Sequence, residues 1–370
     1  MADEKWMRRA LQLAGRGRGR TSPNPCVGAV IVRGDTVLGE GWHKRAGTAH
    51  AEVAALDEAK KRRARVKGAT LYVTLEPCST TGRTPPCTGA IIAAGIRRVV
   101  IGALDPNPDH AGRAPGLLKR HGIKVDTGVL ADRCCDLNES FNHWIVHRRP
   151  FVVLKAAMTL DGKIATKAGE SKWITGPEAG RQAMRLRQES DAILVGSNTI
   201  LADDPSLTCR AYRDATKVSK HIRRIVLDTH ARTPLSAKVV ADECAADTVI
   251  VIGKDASKKR VERLQRRVEV WSAPLRNQRI DLKWLLRRLG REPITNVLVE
   301  GGGEVNGSFI DAGLVNRVAF FYAPKILGGF TSKRGVAGKG FEKLAQLPRV
   351  KDGRWRQLGD DLYFTGLVDR

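Results

Sequence analysis

The sequence of 370 residues is short of aromatic and acidic side chains, and it has no long apolar run. Phe, Trp and Tyr make up 5% of it, which leaves few flat platforms on which single-stranded nucleic acid could stack. No stretch of about 18 or more apolar residues occurs, so no membrane-spanning helix and no membrane partner are expected. Met1 to Lys5 carry Asp3 and Glu4 and lead into no apolar segment, so the expected location is the cytoplasm rather than a secretory route. Cysteine is sparse and irregular: Cys26, Cys78, Cys87, Cys134, Cys135, Cys209 and Cys244. An odd number without a repeating spacing argues against a disulfide framework and for metal binding or free thiols. No internal repeat and no low-complexity segment is present.

Basic residues are plentiful, with 64 Lys and Arg against 39 Asp and Glu and a net charge of +25. They are scattered, with small concentrations at Arg16–Arg20, Lys60–Arg65 and Lys258–Arg267. A nucleic-acid binder gathers such charge on one face. The scatter is read instead as solvation of helices and steering of anionic substrates, with no nucleic-acid partner expected. Hydrophobic content of 42% suits a folded globular chain. Its length exceeds one small core and points to two domains of roughly 150 to 200 residues.

The pattern in both parts is alternating strands and helices, the mark of an α/β fold. In the first part the spacing predicts a helix at Trp6–Ala14, then strands Val27–Arg33 and Thr36–Gly41 joined by the turn dipeptide Gly34-Asp35. A helix at Ala49–Lys60, a strand at Ala69–Leu75, a helix at Cys87–Ala94 closed by Gly95, and a strand at Arg98–Gly102 follow. This implies a three-layer domain. Pro150, after the polar His147-Arg148-Arg149, marks a boundary between a domain of residues 1–147 and one of residues 151–370. Beyond it the expected strands are Phe151–Ala157, Ala192–Gly196, Arg224–Asp228, Thr248–Ile252 and Asn296–Val299. The expected helices are Pro177–Gln188, Ser257–Arg267, Leu282–Leu289 and Glu304–Ala312.

His50-Ala51-Glu52 opens the second helix, and Glu76-Pro77-Cys78 and then Cys87 come later. One imidazole and two thiolates are a donor set that zinc favours, and three protein ligands leave the open position of a catalytic site. Cys78 and Cys87 are both expected at helix starts, where free amides and the dipole stabilise thiolate. Glu52, two positions past His50, is placed to move a proton between activated water and leaving ammonia. Taken singly these are ordinary surface and core residues. Taken in order, with Pro before the first Cys, they follow the zinc nucleobase deaminase pattern. The cysteines are separated by Ser79 to Pro86 rather than by two residues, and Gly82, Pro85 and Pro86 allow that loop to return.

His50-Ala51-Glu52, Thr74-Leu75-Glu76-Pro77-Cys78-Ser79, Gly82-Arg83-Thr84-Pro85-Pro86-Cys87, Asp105-Pro106-Asn107-Pro108 and Pro23-Asn24-Pro25 together resemble one family. It is that of the bifunctional riboflavin biosynthesis proteins, diaminohydroxyphosphoribosylaminopyrimidine deaminase and 5-amino-6-(5-phosphoribosylamino)uracil reductase. The resemblance covers nearly the whole chain. It implies a cytidine-deaminase-like first domain, a dihydrofolate-reductase-like second domain, one zinc ion per chain and NADPH. It also implies a small-molecule pyrimidine ribose phosphate substrate and a homo-oligomer, either a dimer through the reductase domain or a tetramer. Asn24 then contacts the pyrimidine and Arg83 the phosphate side. Two departures stand out: Thr80 and Thr81 where many members have histidine, and Ala114 where many have glycine.

The second half is similar to the same family at Met158–Lys163, Ser171–Gly176, Gly196–Thr199, Ala202–Pro205 and Val299–Glu304. Gly301-Gly302-Gly303 follows a strand and opens a helix, where bare amides can cradle a diphosphate. A tight turn is the alternative. The run is not the G-x-G-x-x-G fingerprint, so no Rossmann domain is inferred. By resemblance the cofactor contacts are Ala157, Trp173, Thr199, Asp203, Thr229 and the run Gly302, Gly303, Glu304, Val305, Asn306, Gly307 and Ser308. Substrate contacts are Ser171, Arg187, Leu207, Arg210 and Glu300, and Lys155 and Asp203 give polar assistance to hydride transfer. Met158 stands where smaller residues are common, which implies a reshaped nicotinamide side. Two rival readings remain: a nucleoside or tRNA deaminase with a non-catalytic nucleic-acid-binding second domain, and a structural protein that keeps a zinc site without chemistry.

Overall fold

The computed structural model describes residues 2–80, 86–108, 110–172, 174–210 and 218–369. They divide into two compact units, Met1–Arg148 and Arg149–Arg370.

The first unit starts with helix α1 (Ala2–Gly15). Its buried Trp6, Met7, Ala10, Leu13 and Ala14 recur at the spacing of one helical face. A hairpin follows, β1 (Gly28–Arg33) and β2 (Thr36–Trp42), turning where Gly34 takes a φ of 56°. Next come α2 (Ala51–Lys61), β3 (Thr70–Leu75), α3 (Cys87–Ala93), β4 (Arg98–Ala103), α4 (Arg113–Arg120), β5 (Lys124–Thr127), α5 (Ala131–Leu137) and α6 (Glu139–His147). The sheet order is β2-β1-β3-β4-β5, with β1 antiparallel to both neighbours and β3, β4 and β5 parallel.

Side-chain alternation along β1 builds two cores. Ala29 and Ile31 pack with Ala55 of α2, Ile91 of α3 and Leu118 of α4, while Val30 and Val32 pack with Met7 of α1 and Cys134 of α5. Helices thus cover both faces, giving three layers. On β2, a Cβ at Gly39 or Gly41 would strike the carbonyl of Ala55 or Ala51, so glycine lets α2 settle directly on the strand. The strand directions bring the start of β1 and the ends of β2, β3 and β4 to one edge.

The second unit is a nine-stranded sheet. In chain order its elements are β6 (Phe151–Thr159), α7 (Pro177–Glu189), β7 (Ala192–Gly196), α8 (Ser197–Asp203), β8 (Arg223–Leu227), β9 (Thr248–Gly253), α9 (Lys258–Gln265) and β10 (Glu269–Ala273). Then come α10 (Leu282–Arg291), β11 (Asn296–Val299), α11 (Gly302–Asp311), β12 (Arg317–Ala323), β13 (Val350–Leu358) and β14 (Asp361–Val368). The spatial order is β10-β9-β8-β7-β11-β6-β12-β14-β13. Seven strands are parallel, and β14 and β13 close the sheet antiparallel.

Parallel strands covered on both faces become continuously apolar, and β7 and β9 are buried at every residue. Leu285, Leu286 and Leu289 of α10 and Phe309 of α11 fill one side; Ile200 of α8 and Leu264 of α9 fill the other. Most expected elements are present with ends shifted by a residue or two. The sequence pattern did not reveal α4 to α6 with β5 among them, α8, β10 or the last three strands.

Candidate active sites

At the shared edge of the first sheet, His50 is the residue that caps α2, in extended conformation (φ −69°, ψ 164°). Its Nδ1 lies 3.2 Å from Sγ of Cys87 and 3.6 Å from Sγ of Cys78. The three donor atoms all fall within 4.8 Å of one another. Tetrahedral zinc with ordinary bond lengths separates a nitrogen from a sulfur ligand by about 3.6 Å, so these residues fit the ion. A second group, His221, Cys244 and Asp247, also gathers donors, but there Nδ1 of His221 is hydrogen-bonded to Asp247 at 2.7 Å with the histidine at the surface.

Cys87 opens α3, as expected. Cys78 does not open a helix: it follows β3 in a segment without regular secondary structure. Its thiolate is stabilised from the neighbouring helix start instead, since the Cys87 amide donates to Sγ of Cys78 at 3.2 Å. The Cys87 thiol hydrogen bond and nearby His50 hold the Cys78 thiol well below its ordinary value, while Cys78 in turn pushes Cys87 up. Glu52 sits in the first turn of α2, 3% exposed, and burial pushes its carboxyl up to about 7.

Asn24 precedes β1 and its Nδ2 lies 3.1 Å from Nε2 of His43. His43 follows β2, is buried, and meets the His50 ring edge-on at 5.3 Å between centroids. Burial lowers the His43 pKa. Sequence reasoning missed His43, because a single histidine after a strand carries no pattern. It also quoted Glu76 without a role. Glu76 is buried and accepts from the amides of Asp105 at 3.1 Å, Gly112 at 2.9 Å and Ala114 at 2.9 Å. It therefore caps α4 from just beyond the end of β3 and, two residues before Cys78, ties Asp105, Gly112 and Ala114 together. Ala114 fits this arrangement: it is fully buried within α4 and its amide meets Glu76. Thr80 Oγ1 lies 3.2 Å from Nδ1 of His110. Arg83 and Thr81 lie outside the described residues.

In the second unit the ends of β6, β7, β8 and β11 share one sheet edge. Glu300, just after β11, accepts from Arg187 Nε at 3.1 Å and Nη2 at 2.9 Å, and Lys155 Nζ lies 3.7 Å away. Burial alone would raise the Glu300 carboxyl, but the charges of Arg187 and Lys155 outweigh it and hold it at about 2. Ser171 Oγ donates to Asp203 at 2.7 Å, and Thr199 Oγ1 donates to the Gly301 carbonyl at 3.4 Å. Arg210 donates to Ser206 Oγ at 2.9 Å. Leu207 is buried in the core with a left-handed φ of 51°. Thr229 follows β8 beside Gly253.

The start of α11 suits a diphosphate. No side chain caps it, Gly301 and Gly302 stand at its mouth, and Gly302 takes a φ of 73°. Its run is not one ligand-facing surface, however. Asn306 and Gly307 are buried against Gly335 and Ala337, and Glu304 and Ser308 engage Arg279. On β6, alternation puts Lys155 and Ala157 on one face and Met158 on the other, where Gly335 packs against it. Met158 therefore does not line the face that carries Lys155. Trp173 lies outside the described residues.

Residues 150–364 match the model of the RibD C-terminal domain, and residues 1–103 match that of the cytidine and deoxycytidylate deaminase zinc-binding region. The riboflavin biosynthesis protein RibD of Actinobacillus pleuropneumoniae is 42% identical over 368 residues, covering 100% of this chain and 96% of the relative. RibD of Escherichia coli (strain K12) is 41% identical over 371 residues, 98% of each chain. Among solved structures, Acinetobacter baumannii RibD, form 1, superposes with a TM-score of 0.86 at 36% identity, covering 100% of this chain and 99% of that one. A diaminohydroxyphosphoribosylaminopyrimidine deaminase/5-amino-6-(5-phosphoribosylamino)uracil reductase from Thermotoga maritima gives 0.85 at 35% identity over 99% of each chain. With both domain models matched in order and relatives aligned end to end, this chain belongs to the RibD family of riboflavin biosynthesis proteins.

Proposed function

We infer that the chain is a bifunctional enzyme of riboflavin biosynthesis. Its first half hydrolyses the amino group at ring C2 of 2,5-diamino-6-(5-phosphoribosylamino)pyrimidin-4-one, and its second half reduces the ribosyl group of the product to ribityl with NADPH. The observation that carries this reading is the trio His50, Cys78 and Cys87 beside the buried Glu52, in a chain with full-length RibD relatives. The match of residues 150–364 to the RibD C-terminal domain speaks against a tRNA or nucleoside deaminase whose second domain merely binds.

Zinc, when bound by His50, Cys78 and Cys87, supplies an activated solvent molecule beside the reacting carbon. Glu52, whose carboxyl is raised by burial, can take a proton and return it to departing ammonia. Asn24 holds the pyrimidine and Arg83 meets the phosphate.

In the second half NADPH, when bound at the open start of α11 with Thr199 and Thr229 along the same edge, supplies a hydride. Asp203 is held toward Ser171 and positions the ribose side. Lys155 gives a proton to the ring oxygen as C1′ gains the hydride, so the sugar opens to the ribityl chain. Arg187 is engaged by Glu300, which leaves the exposed Arg210 as the freer partner for the substrate phosphate.

The two activities divide at residues 148–150. Strand β13 is exposed almost throughout, with Trp355 at 60%, which supports pairing of two chains along that edge of the reductase half. The seven free cysteines fit a reducing cytoplasm. Incubating the purified chain with the diaminopyrimidine substrate tests the reading. Ammonia release without NADPH, and NADPH oxidation only after deamination, is the expected order; NADPH oxidation that precedes ammonia release would reject it.

A further inference from the structure

We propose that His43 is a positioning residue of the deaminase half. It holds the Asn24 amide with the carbonyl oxygen turned toward the substrate, so that Asn24 reads a hydrogen-bond donor, a ring N–H or amino group, on the amidine-bearing ring. The proposal rests on the reading of Asn24 as a pyrimidine contact.

Nδ1 of His43 lies 3.1 Å from the carbonyl oxygen of Ala49. A carbonyl can only accept, so Nδ1 carries the ring proton. In the neutral ring Nε2 is then a bare acceptor, and the group facing it at 3.1 Å is Asn24 Nδ2, which donates. The two ends of an amide are opposed in character, so committing Nδ2 to His43 leaves Oδ1 as the end offered elsewhere. Among the described residues that oxygen has no hydrogen-bond partner, and Asn24 is only half-buried.

His43 itself is 2% exposed and is shut away from a ligand. It acts through its neighbours: Asn24 on one side, and Ala49, next to His50, on the other. One imidazole thereby ties the segment before β1 to the segment that delivers His50. Without it the amide is free to turn and present NH2 to a ring donor, a mismatch that a desolvated site penalises strongly.

The test uses the full chain in four forms: His43→Phe, His43→Gln, Asn24→Ala and the double variant Asn24→Ala with His43→Phe. Ammonia release from the diaminopyrimidine phosphate, zinc content, and reductase rate on deaminated substrate are measured on each. The expected result for His43→Phe is a KM for deamination raised about tenfold at nearly constant kcat. Zinc content and reductase rate stay unchanged. Gln can donate to Ala49 and accept from Asn24, so His43→Gln recovers most of the loss. In the Asn24→Ala background His43→Phe adds nothing, because no amide remains to orient.

An equal further loss in both backgrounds would overturn the proposal in favour of a packing role. Loss of zinc in both His43 variants would overturn it in favour of metal-loop support. If Asn24→Ala alone left KM unchanged, the reading of Asn24 as a substrate contact would fall first and the role of His43 with it.

Discussion

The guanidinium of Arg187 donates to both carboxylate oxygens of Glu300, at 3.1 Å and 2.9 Å, across 113 positions of sequence. The pair is largely buried, with side-chain exposures of 20% and 10%. Removing Arg187 leaves Glu300 with only the longer contact to Lys155 at 3.7 Å, at a cost of about 3 kcal/mol. Arg187→Met is therefore expected to lower the unfolding midpoint of the reductase half and to abolish NADPH oxidation while ammonia release persists. An unchanged denaturation midpoint would show that the pair contributes nothing to stability.

Glu52→Gln keeps the size of the side chain and removes its proton transfer. Ammonia release should fall by roughly a hundredfold to ten-thousandfold, the range for loss of a general acid–base group. Zinc content and the reductase rate should stay at parent levels. Ammonia release at the parent rate would remove Glu52 from the chemistry.

Zinc removal tests the trio at the end of β3. Chelation, or Cys78→Ser, should end deamination, and adding zinc back should restore it in the parent chain only. The reductase, given deaminated substrate, should be indifferent to both treatments. Full ammonia release from metal-free protein would contradict the assignment of His50, Cys78 and Cys87.

Asp3 contributes to the acid sensitivity of the first unit, as does Glu40, whose carboxyl the Arg9 guanidinium also lowers. Hydrogen bonds from Arg98, at 2.9 Å and 2.8 Å, and from Tyr72, at 2.6 Å, hold the Asp3 carboxyl down at about 2 against the effect of burial. The folded value lies below the unfolded one of about 3.9. Its contribution is therefore complete above that value and is lost as pH falls from about 4 toward 2. Asp3→Asn should flatten the acid limb of stability in that window and leave it unchanged near neutrality, as followed by circular dichroism.

Gly41 lies under the first turn of α2, and a methyl group there would collide with the Ala51 carbonyl. Gly41→Ala is expected to cost about 1 to 3 kcal/mol through overpacking. By lifting the segment that carries His50 and Glu52, it should also weaken zinc retention. A variant of parent stability and zinc content would mean that the helix can shift without harm.

By itself the sequence determined the α/β alternation and most elements, and it singled out His50, Cys78 and Cys87, which the fold brings together as a possible donor set. Periodicity is a local property, and zinc ligands come from few residue types whose order near Pro77 and Glu52 is distinctive. Among the last strands, β13 escaped notice because it is exposed on both faces and so carries no alternating pattern. Only the tertiary structure decided which amide stabilises Cys78, that Glu76 caps a helix 38 residues away, that His43 meets Asn24, and that Arg187 is held by Glu300. Each of these is a long-range contact set by strand order and by which strand ends share an edge. That choice depends on packing the whole sheet, and no local window of sequence contains it.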